Sequence, residues 1–312
     1  MRPSTSRAWR NATAAALTAL VSIGLLAGCT STASNAGSSS KPGAVRVVAS
    51  TNVYGDIAKS IGGDNVDVTS IISNPGTDPH SYTANAQNEL ALSKAAIVVE
   101  NGGGYDDFVD SMLKTAGNSA VKVIHVVNLS GKLAPAGGDL NEHVWYDFPT
   151  VQKLISTLQS ELSAVDPAAA TVYAANATKF AAGLTGLESS ESALRARYLG
   201  TGVAITEPLP LYLLQASGLV NKTPPAFSKA VEEEADVAPR VLSETLALFA
   251  DKQVRLLVYN EQTSGASTDR ALSAAKANNI PSVPVTETLP DGQHYLTWMA
   301  GIVHALESAL TT

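Results

Sequence analysis

Apolar residues fall into two kinds of run along this chain. VRVVAS (45–50), VDVTSII (66–72), AAIVVE (95–100) and VKVIHVV (121–127) are short and β-branched, as in strands buried on both faces. Between them, segments near 54–61, 84–94 and 105–116 space their apolar positions at helical intervals. The alternation resumes with VAIT (203–206), RLLVYN (255–260) and SVPVT (282–286), interleaved with helical segments near 239–252, 268–278 and 293–310. Strands alternating with helices predict βαβ units and mostly parallel sheets.

The stretch 166–198 breaks this rhythm. Pro167 suits a first helical turn with Asp166 as its N-cap, and no proline follows for about 30 residues. At 1.5 Å per residue this predicts a helix on the order of 45 Å long, with Gly183 and Gly186 as points of local weakness or bending. A chain of 312 residues also exceeds one average domain. The expected fold class is therefore α/β with two lobes, 45–165 and 199–312, each a mostly parallel β-sheet flanked by helices. One long rigid helix (166–198) joins them and resists wide hinge motion.

The N-terminus follows a different logic. Residues 1–10 are basic, and 12–28 are Ala/Leu-rich, ending in Leu26-Ala27-Gly28-Cys29. This is the layout of a secretory signal peptide over 1–28. The apolar part is too short for a membrane span, which needs roughly 20 residues. Leu-Ala-Gly-Cys resembles a bacterial lipobox, in which the cysteine is lipidated and becomes the first mature residue; the alternative is an ordinary secretory cut with Cys29 incidental. The stretch 30–44, TSTASNAGSSSKPGA, reads as a flexible tether. No later segment approaches 18 continuous apolar residues. The expected location is the outer face of a bacterial cytoplasmic membrane, held by a lipid on Cys29.

Composition narrows the function. Hydrophobic content of 45% and charged content of 16% fit a globular body. Net charge is −7, and with Arg2, Arg7 and Arg10 set aside 18 basic residues face 28 acidic ones. Such a body has little with which to neutralise nucleic-acid phosphates, but it suits a cationic ligand. Cys29 is the single cysteine, which excludes an intramolecular disulfide and any multi-cysteine metal site.

Of five histidines, two stand in marked contexts. His80 lies in NPGTDPHSYTAN after the apolar run 66–72, and His143 in NEHVWYD after the Gly/Pro-rich 131–140. Loops at the carboxyl ends of parallel strands are where α/β folds hold ligands. A lone histidine is more often structural; two on such loops leave the structural and ligand readings balanced. His125 reads as a core or edge residue, and His304 as packed or solvent-facing. His294 stands near a candidate ligand loop, where it could support a ligand. Asn101-Gly102-Gly103-Gly104 lacks the Lys-Ser/Thr of nucleotide loops and reads as a tight strand-to-helix turn. Glu232-Glu233-Glu234 reads as a solvated face or a partner contact. Trp145, Tyr146 and Tyr82 either wall a site or pack the core.

DPHSYTAN, then NGGGYDDF (101–108), then NEHVWYD, in this order, resembles the metal-binding substrate-binding lipoproteins of bacterial ABC importers. This zinc/manganese family includes the zinc-uptake receptors and the streptococcal manganese receptors once called adhesins, and the resemblance runs from about Val45 to the C-terminus. It implies four metal ligands, two per lobe. His80 and His143 take the first two positions. Glu207, in VAITEPLPLYLLQASGL, takes the third, where zinc-type receptors have histidine and manganese-type ones glutamate. The fourth, usually aspartate, matches Glu287 in VPVTETLPDGQHYLTWM, with Asp291 as the fallback if the register slips.

Two neutral imidazoles and two carboxylates balance one divalent cation, so burying it leaves little uncompensated charge. Nitrogen and oxygen donors suit Mn²⁺, Fe²⁺ or Zn²⁺, and four of them with no open position describe capture rather than catalysis. The carboxylates, and a loop (131–142) without the histidine cluster of many zinc receptors, lean toward manganese or iron, with zinc close behind. The resemblance thus implies a monomeric, non-enzymatic receptor that passes one divalent ion to an ABC permease membrane subunit driven by a separate ATPase; the chain itself carries no P-loop. Three rivals stand beside it: a surface adhesin with a structural metal, a secreted metalloenzyme, for which an HExxH helix is missing, and a receptor for an organic ligand such as a metal chelate.

Overall fold

The computed structural model describes residues 42–74, 77, 82–83, 85–263 and 265–311. The first lobe runs β1 (Val45–Thr51), α1 (Asn52–Gly62), β2 (Val66–Ile72), α2 (Ala86–Ser93), β3 (Ile97–Glu100), α3 (Phe108–Ala116), β4 (Lys122–His125), α4 (Val126–Ser130) and α5 (Phe148–Val165). After α6 (Ala170–Tyr198), the second lobe runs β5 (Gly202–Ile205), α7 (Leu211–Ala216), β6 (Val220–Asn221), α8 (Pro225–Glu232), α9 (Pro239–Ala250), β7 (Leu257–Asn260), α10 (Ala266–Ala277), β8 (Ser282–Val285) and α11 (Tyr295–Thr311).

Both sheets are fully parallel and repeat one topology, β2-β1-β3-β4 and β6-β5-β7-β8. β1 is flanked on both sides and buried at every position except Arg46, which is why its sequence is almost unbroken in hydrophobicity. No helix of the described residues is long and apolar enough to cross a membrane.

The structure corrects one sequence expectation and sharpens two others. VKVIHVV does not continue as a strand to 127. β3 ends at Glu100, opposite His125, so residues beyond have no ladder to join. The backbone instead turns into α4, with Val127 N–H donating to Asn101 O at 2.9 Å. The long helical run does start at Pro167, after Asp166, but its first turn is tighter than an α-helix and has no side-chain cap. Pro167–Ala169 form a 3-10 turn, and the Asp166 side chain makes no cap; it accepts from Tyr173 Oη at 3.2 Å. Gly183 does not interrupt α6. A Cβ there would stand 2.6 Å from Leu296 Cδ1, so the glycine admits α11 against the helix. The helix α5 was not anticipated, although Asp147 caps it through Thr150 N (3.1 Å) and Leu154, Ile155, Leu158 and Leu162 repeat at helical spacing.

α6 packs against α1, α5 and α11. Its buried positions, Tyr173, Ala177, Phe180, Leu184, Leu187, Glu191 and Leu194, form a regular stripe of alternating four- and three-residue steps. One acid occupies that stripe. Burial, then the charges of Asp147 and Glu188, push the Glu191 carboxyl from 4.5 up to about 8. The folded chain therefore holds this proton to higher pH than the unfolded chain. The stability it contributes is complete below about pH 4.5 and is lost as pH rises through about 8. We expect Glu191→Gln to exceed the parent in stability by a margin that grows over this range, reaching about 2 to 3 kcal/mol. Urea melts across pH check it; a margin independent of pH would show that Glu191 titrates normally.

Candidate metal centre

The second sheet places three polar side chains along its carboxyl edge. Glu207 lies two residues beyond β5, Asn260 closes β7, and Glu287 lies two residues beyond β8. These three strands are neighbours, so their ends converge. Asn260 Nδ2 donates to Glu207 Oε2 (2.8 Å), Glu287 Oε1 (3.1 Å) and Thr263 Oγ1 (3.0 Å), drawing both carboxylates to one amide. Gln262 fixes the last loop: its Oε1 accepts from Glu287 N at 2.7 Å, and its Nε2 donates to Thr288 Oγ1 at 2.7 Å. From the first lobe, Tyr105 Oη donates to Glu287 Oε2 at 3.4 Å, and burial followed by the Glu287 charge holds this phenol well above its ordinary range. Glu207 and Glu287 are only 2% and 8% exposed. Amide and phenol donors hydrogen-bond these carboxylates without cancelling their charge, a setting that suits a cation.

The first lobe presents His143, fully buried just before the 3-10 turn Val144–Tyr146. Its Nδ1 lies 2.7 Å from Asn141 Oδ1, which also accepts from His143 N at 3.2 Å. Asn141 Nδ2 donates across the lobes to Pro208 O at 3.1 Å, which identifies Oδ1 as the atom facing the imidazole. Nδ1 therefore carries the hydrogen in the neutral ring, and the Nε2 lone pair points toward Glu232 Oε1 at 3.8 Å. Donor atoms of Glu142, His143 and Glu232 lie within 4.8 Å of one another. Burial, then the charges of Glu142, Glu207, Glu287 and Glu233, push the Glu232 carboxyl up to about 8. The charges of Glu207 and Glu287 thus bear on Glu232. A cleft of about 1170 Å³ opens beside Glu142 and Glu232, bounded by the loop 131–142 and by Pro208, Tyr212 and Lys229.

The structure brings Glu207 and Glu287 to one amide, that of Asn260, and places His143 on the first lobe's side, with Tyr105 between: its hydroxyl reaches Glu287 and its ring centroid lies 6.0 Å from that of His143. His80 and Cys29 lie outside the described residues, as do 1–41 as a whole. Asp291 is exposed. His294 does not reach the cluster; its Nδ1 pairs with Asp56 Oδ1 at 2.7 Å and its side chain is mostly exposed. Tyr82 packs on Phe108, with ring centroids 4.8 Å apart. Trp145 and Tyr146 are fully buried, and Trp145 meets His143 edge-on at 5.2 Å, so it serves core and site at once. His125 lies on the edge strand and pairs with Glu100 at 2.5 Å; His304 is exposed on α11. The Asn101 run is a turn: Asp106 accepts from the N–H groups of Asn101 and Gly102 at 2.7 Å each. Asn101 in turn donates to Glu142 O at 2.9 Å and holds the His143 loop.

Sequence reasoning missed Asn260, Asn141 and Glu232. Glu232 belongs to a run read as a solvated face, yet it is the one of the three acids that is not exposed. The signal was Pro225 at a helix start with Ser228 and Glu232 four apart, on one face with the buried Phe227 and Val231.

Residues 47–309 match the family described as zinc-uptake complex component A, periplasmic (ZnuA). The chain belongs to that family. A manganese-binding lipoprotein, MntA of Halalkalibacterium halodurans, is 29% identical over 147 residues, 47% of this chain and 47% of its own. An iron ABC transporter substrate-binding lipoprotein, MtsA of Streptococcus pyogenes, is 29% identical over 162 residues, 48% of this chain and 50% of its own. The chain thus spans about half the length of the curated relatives it matches. Among solved structures, FpvC of Pseudomonas aeruginosa in complex with Mn²⁺ shares the fold at 21% identity and a TM-score of 0.71, covering 86% of this chain and 98% of its own. ZnuA does so at 20% identity and 0.70, covering 85% and 98%. The two-lobed ZnuA-type architecture therefore extends over the body of the chain.

Proposed function

We propose that this chain is a substrate-binding receptor of a metal importer. It captures one divalent transition-metal ion, manganese or zinc with iron as a third option, between its lobes, and delivers it to an ABC permease with a separate ATPase. The ligands in this reading are His80, His143, Glu207 and Glu287. In this reading the chain's own side chains fill the ion's coordination positions and leave none for a second reactant, so the protein transports rather than catalyses. Cys29 carries the lipid that anchors the chain, as a monomer, on the outer face of the cytoplasmic membrane, behind the tether 29–44 and the lobes 45–165 and 199–312.

One observation carries the reading. Two buried carboxylates from the second lobe are tied by Asn260, and the first lobe presents a buried imidazole whose Nε2 lone pair is set by Asn141. Oxygen and nitrogen donors of this kind suit a borderline or hard divalent ion. The lobes are also stitched around the cluster by Tyr146 Oη to Thr286 O (2.8 Å) and Tyr212 Oη to Asn141 O (2.6 Å), so an ion held here bears on both lobes.

The test is metal content by mass spectrometry on the full chain purified in detergent, after equilibration with Mn²⁺, Fe²⁺ or Zn²⁺. One ion per chain is expected in the parent and much less than one in His143→Ala. A parent without stoichiometric metal, or a His143→Ala variant that retains it, would sink the assignment.

A further inference from the structure

We propose that Glu232 is a direct ligand of the same ion, and that this extra carboxylate tilts the site toward Mn²⁺ and away from Zn²⁺; the proposal rests on the receptor reading above. The first support is distance. Two donors on one ion, each about 2.1 Å from it, stand about 3 Å apart when cis and about 4.2 Å apart when trans. Glu232 Oε1 and His143 Nε2, at 3.8 Å, fall between these limits. A proton on Nε2 does not bridge them, because 3.8 Å is beyond hydrogen-bond length.

The second support is where Glu232 sits. It is the last residue of α8, where unpaired carbonyls disfavour an anion. Its Oε1 is buried without a hydrogen-bond partner. The nearby cation does not compensate it, because Lys229 is drawn away to Asp139 (2.5 Å) and Glu233 (3.7 Å). That Lys229–Asp139 contact instead ties α8 to the loop 131–142. A buried carboxylate oxygen aimed at an imidazole lone pair, at the wrong end of a helix, is an arrangement that a divalent ion between them resolves.

The third step concerns the metal. With Glu232 the set becomes two imidazoles and three carboxylates. Zn²⁺ is satisfied by four donors in a tetrahedron, so a fifth side chain adds little to it. Mn²⁺ accepts more donors, and carboxylate oxygen suits it. Intrinsic affinity still rises from Mn²⁺ to Zn²⁺, so the expected effect is a change in the ratio between the two, not a reversal.

The experiment compares Mn²⁺ and Zn²⁺ affinities, by chelator competition, for the full chain in detergent and for Glu232→Gln, Glu232→Asp and Glu207→Ala. Glu232→Gln should weaken Mn²⁺ at least about tenfold and Zn²⁺ less than about threefold. Glu232→Asp, which keeps the charge but withdraws the oxygen, should behave like Glu232→Gln. With Co²⁺ as a spectroscopic stand-in, visible absorption should rise in Glu232→Gln as the coordination number falls toward four. Equal losses for both metals, or an aspartate variant that matches the parent, would reduce Glu232 to a general electrostatic attractor and overturn the proposal. A parent that binds through Glu207 but is indifferent to Glu232 overturns this proposal alone. A parent that binds neither metal overturns it together with the receptor reading.

Discussion

Glu207→Ala is expected to remove nearly all metal-dependent stabilisation while leaving the metal-free protein about as stable as the parent. An ion that binds only the folded chain stabilises it by about 4 kcal/mol at a thousand times its Kd. For a body of this size that is on the order of 10 °C in Tm. In the metal-free state two effects of Glu207→Ala oppose each other. Losing buried side-chain volume and the Asn260 hydrogen bond (2.8 Å) costs stability, on the order of 1 to 2 kcal/mol. Removing a nearly buried carboxylate from a cluster that also holds Glu232 and Glu287 relieves repulsion and desolvation of similar size. The ion's contribution has no such compensation, because Glu207 supplies one of its few charged donors. Differential scanning calorimetry with and without MnCl₂ checks this. A variant that keeps the parent's metal increment shows that the ion sits elsewhere. One that collapses without metal shows that Glu207 is structural.

Much of this fold can be read from the chain, and the reasons are local. β1, β3 and β7 are buried between neighbouring strands, so sheet burial writes itself as continuous apolar runs. The end of β4 is not legible, because Val126 and Val127 are as apolar in α4 as they would be in a strand; what stops the strand is the length of β3 beside it. Gly183 shows the same limit. Its cost to the helix is local and visible, whereas its benefit is Leu296 of α11, 113 residues away.

The candidate site divides in the same manner. Glu207 and Glu287 enter through resemblance to motifs, and nothing in their local spacing marks them; His143 is marked locally only by its loop after a Gly/Pro-rich stretch. Asn260 is one polar residue at the end of an apolar run, where many strands simply stop. Its importance comes from β7 standing between β5 and β8, which puts its amide between two carboxylates. Glu232 becomes interpretable only once α8 is in place and its fourth position from Ser228 turns inward. Asn141 acts through a hydrogen bond to Pro208 in the other lobe, which only the folded arrangement creates.

Trp145→Ala is expected to cost about 3 to 5 kcal/mol of stability and to weaken metal binding at least about tenfold. Trp145 is 1% exposed, and its ring lies 4.9 Å from Tyr105, 5.2 Å from His143, 6.2 Å from Tyr146 and 6.4 Å from Tyr54. Its backbone oxygen accepts from Tyr295 Oη of α11 at 2.6 Å, so the turn that carries it is bonded to both lobes. Deleting the indole leaves a cavity that these rings do not collapse to fill, since Tyr146 and Tyr295 are held by hydrogen bonds of their own. His143 then loses the wall that sets its ring plane, and Tyr105 the packing that aims its hydroxyl at Glu287. Trp145→Phe separates the two consequences. The indole N–H is buried without an acceptor, so its removal is favourable and offsets part of the lost area. Phenylalanine should therefore recover most of the stability while metal affinity stays between those of parent and alanine variant. Urea unfolding and Mn²⁺ titration on both variants decide it. If Trp145→Ala loses stability but binds metal as the parent does, the indole belongs to the core alone and the His143 loop is held by Asn141 and Asn101 without it.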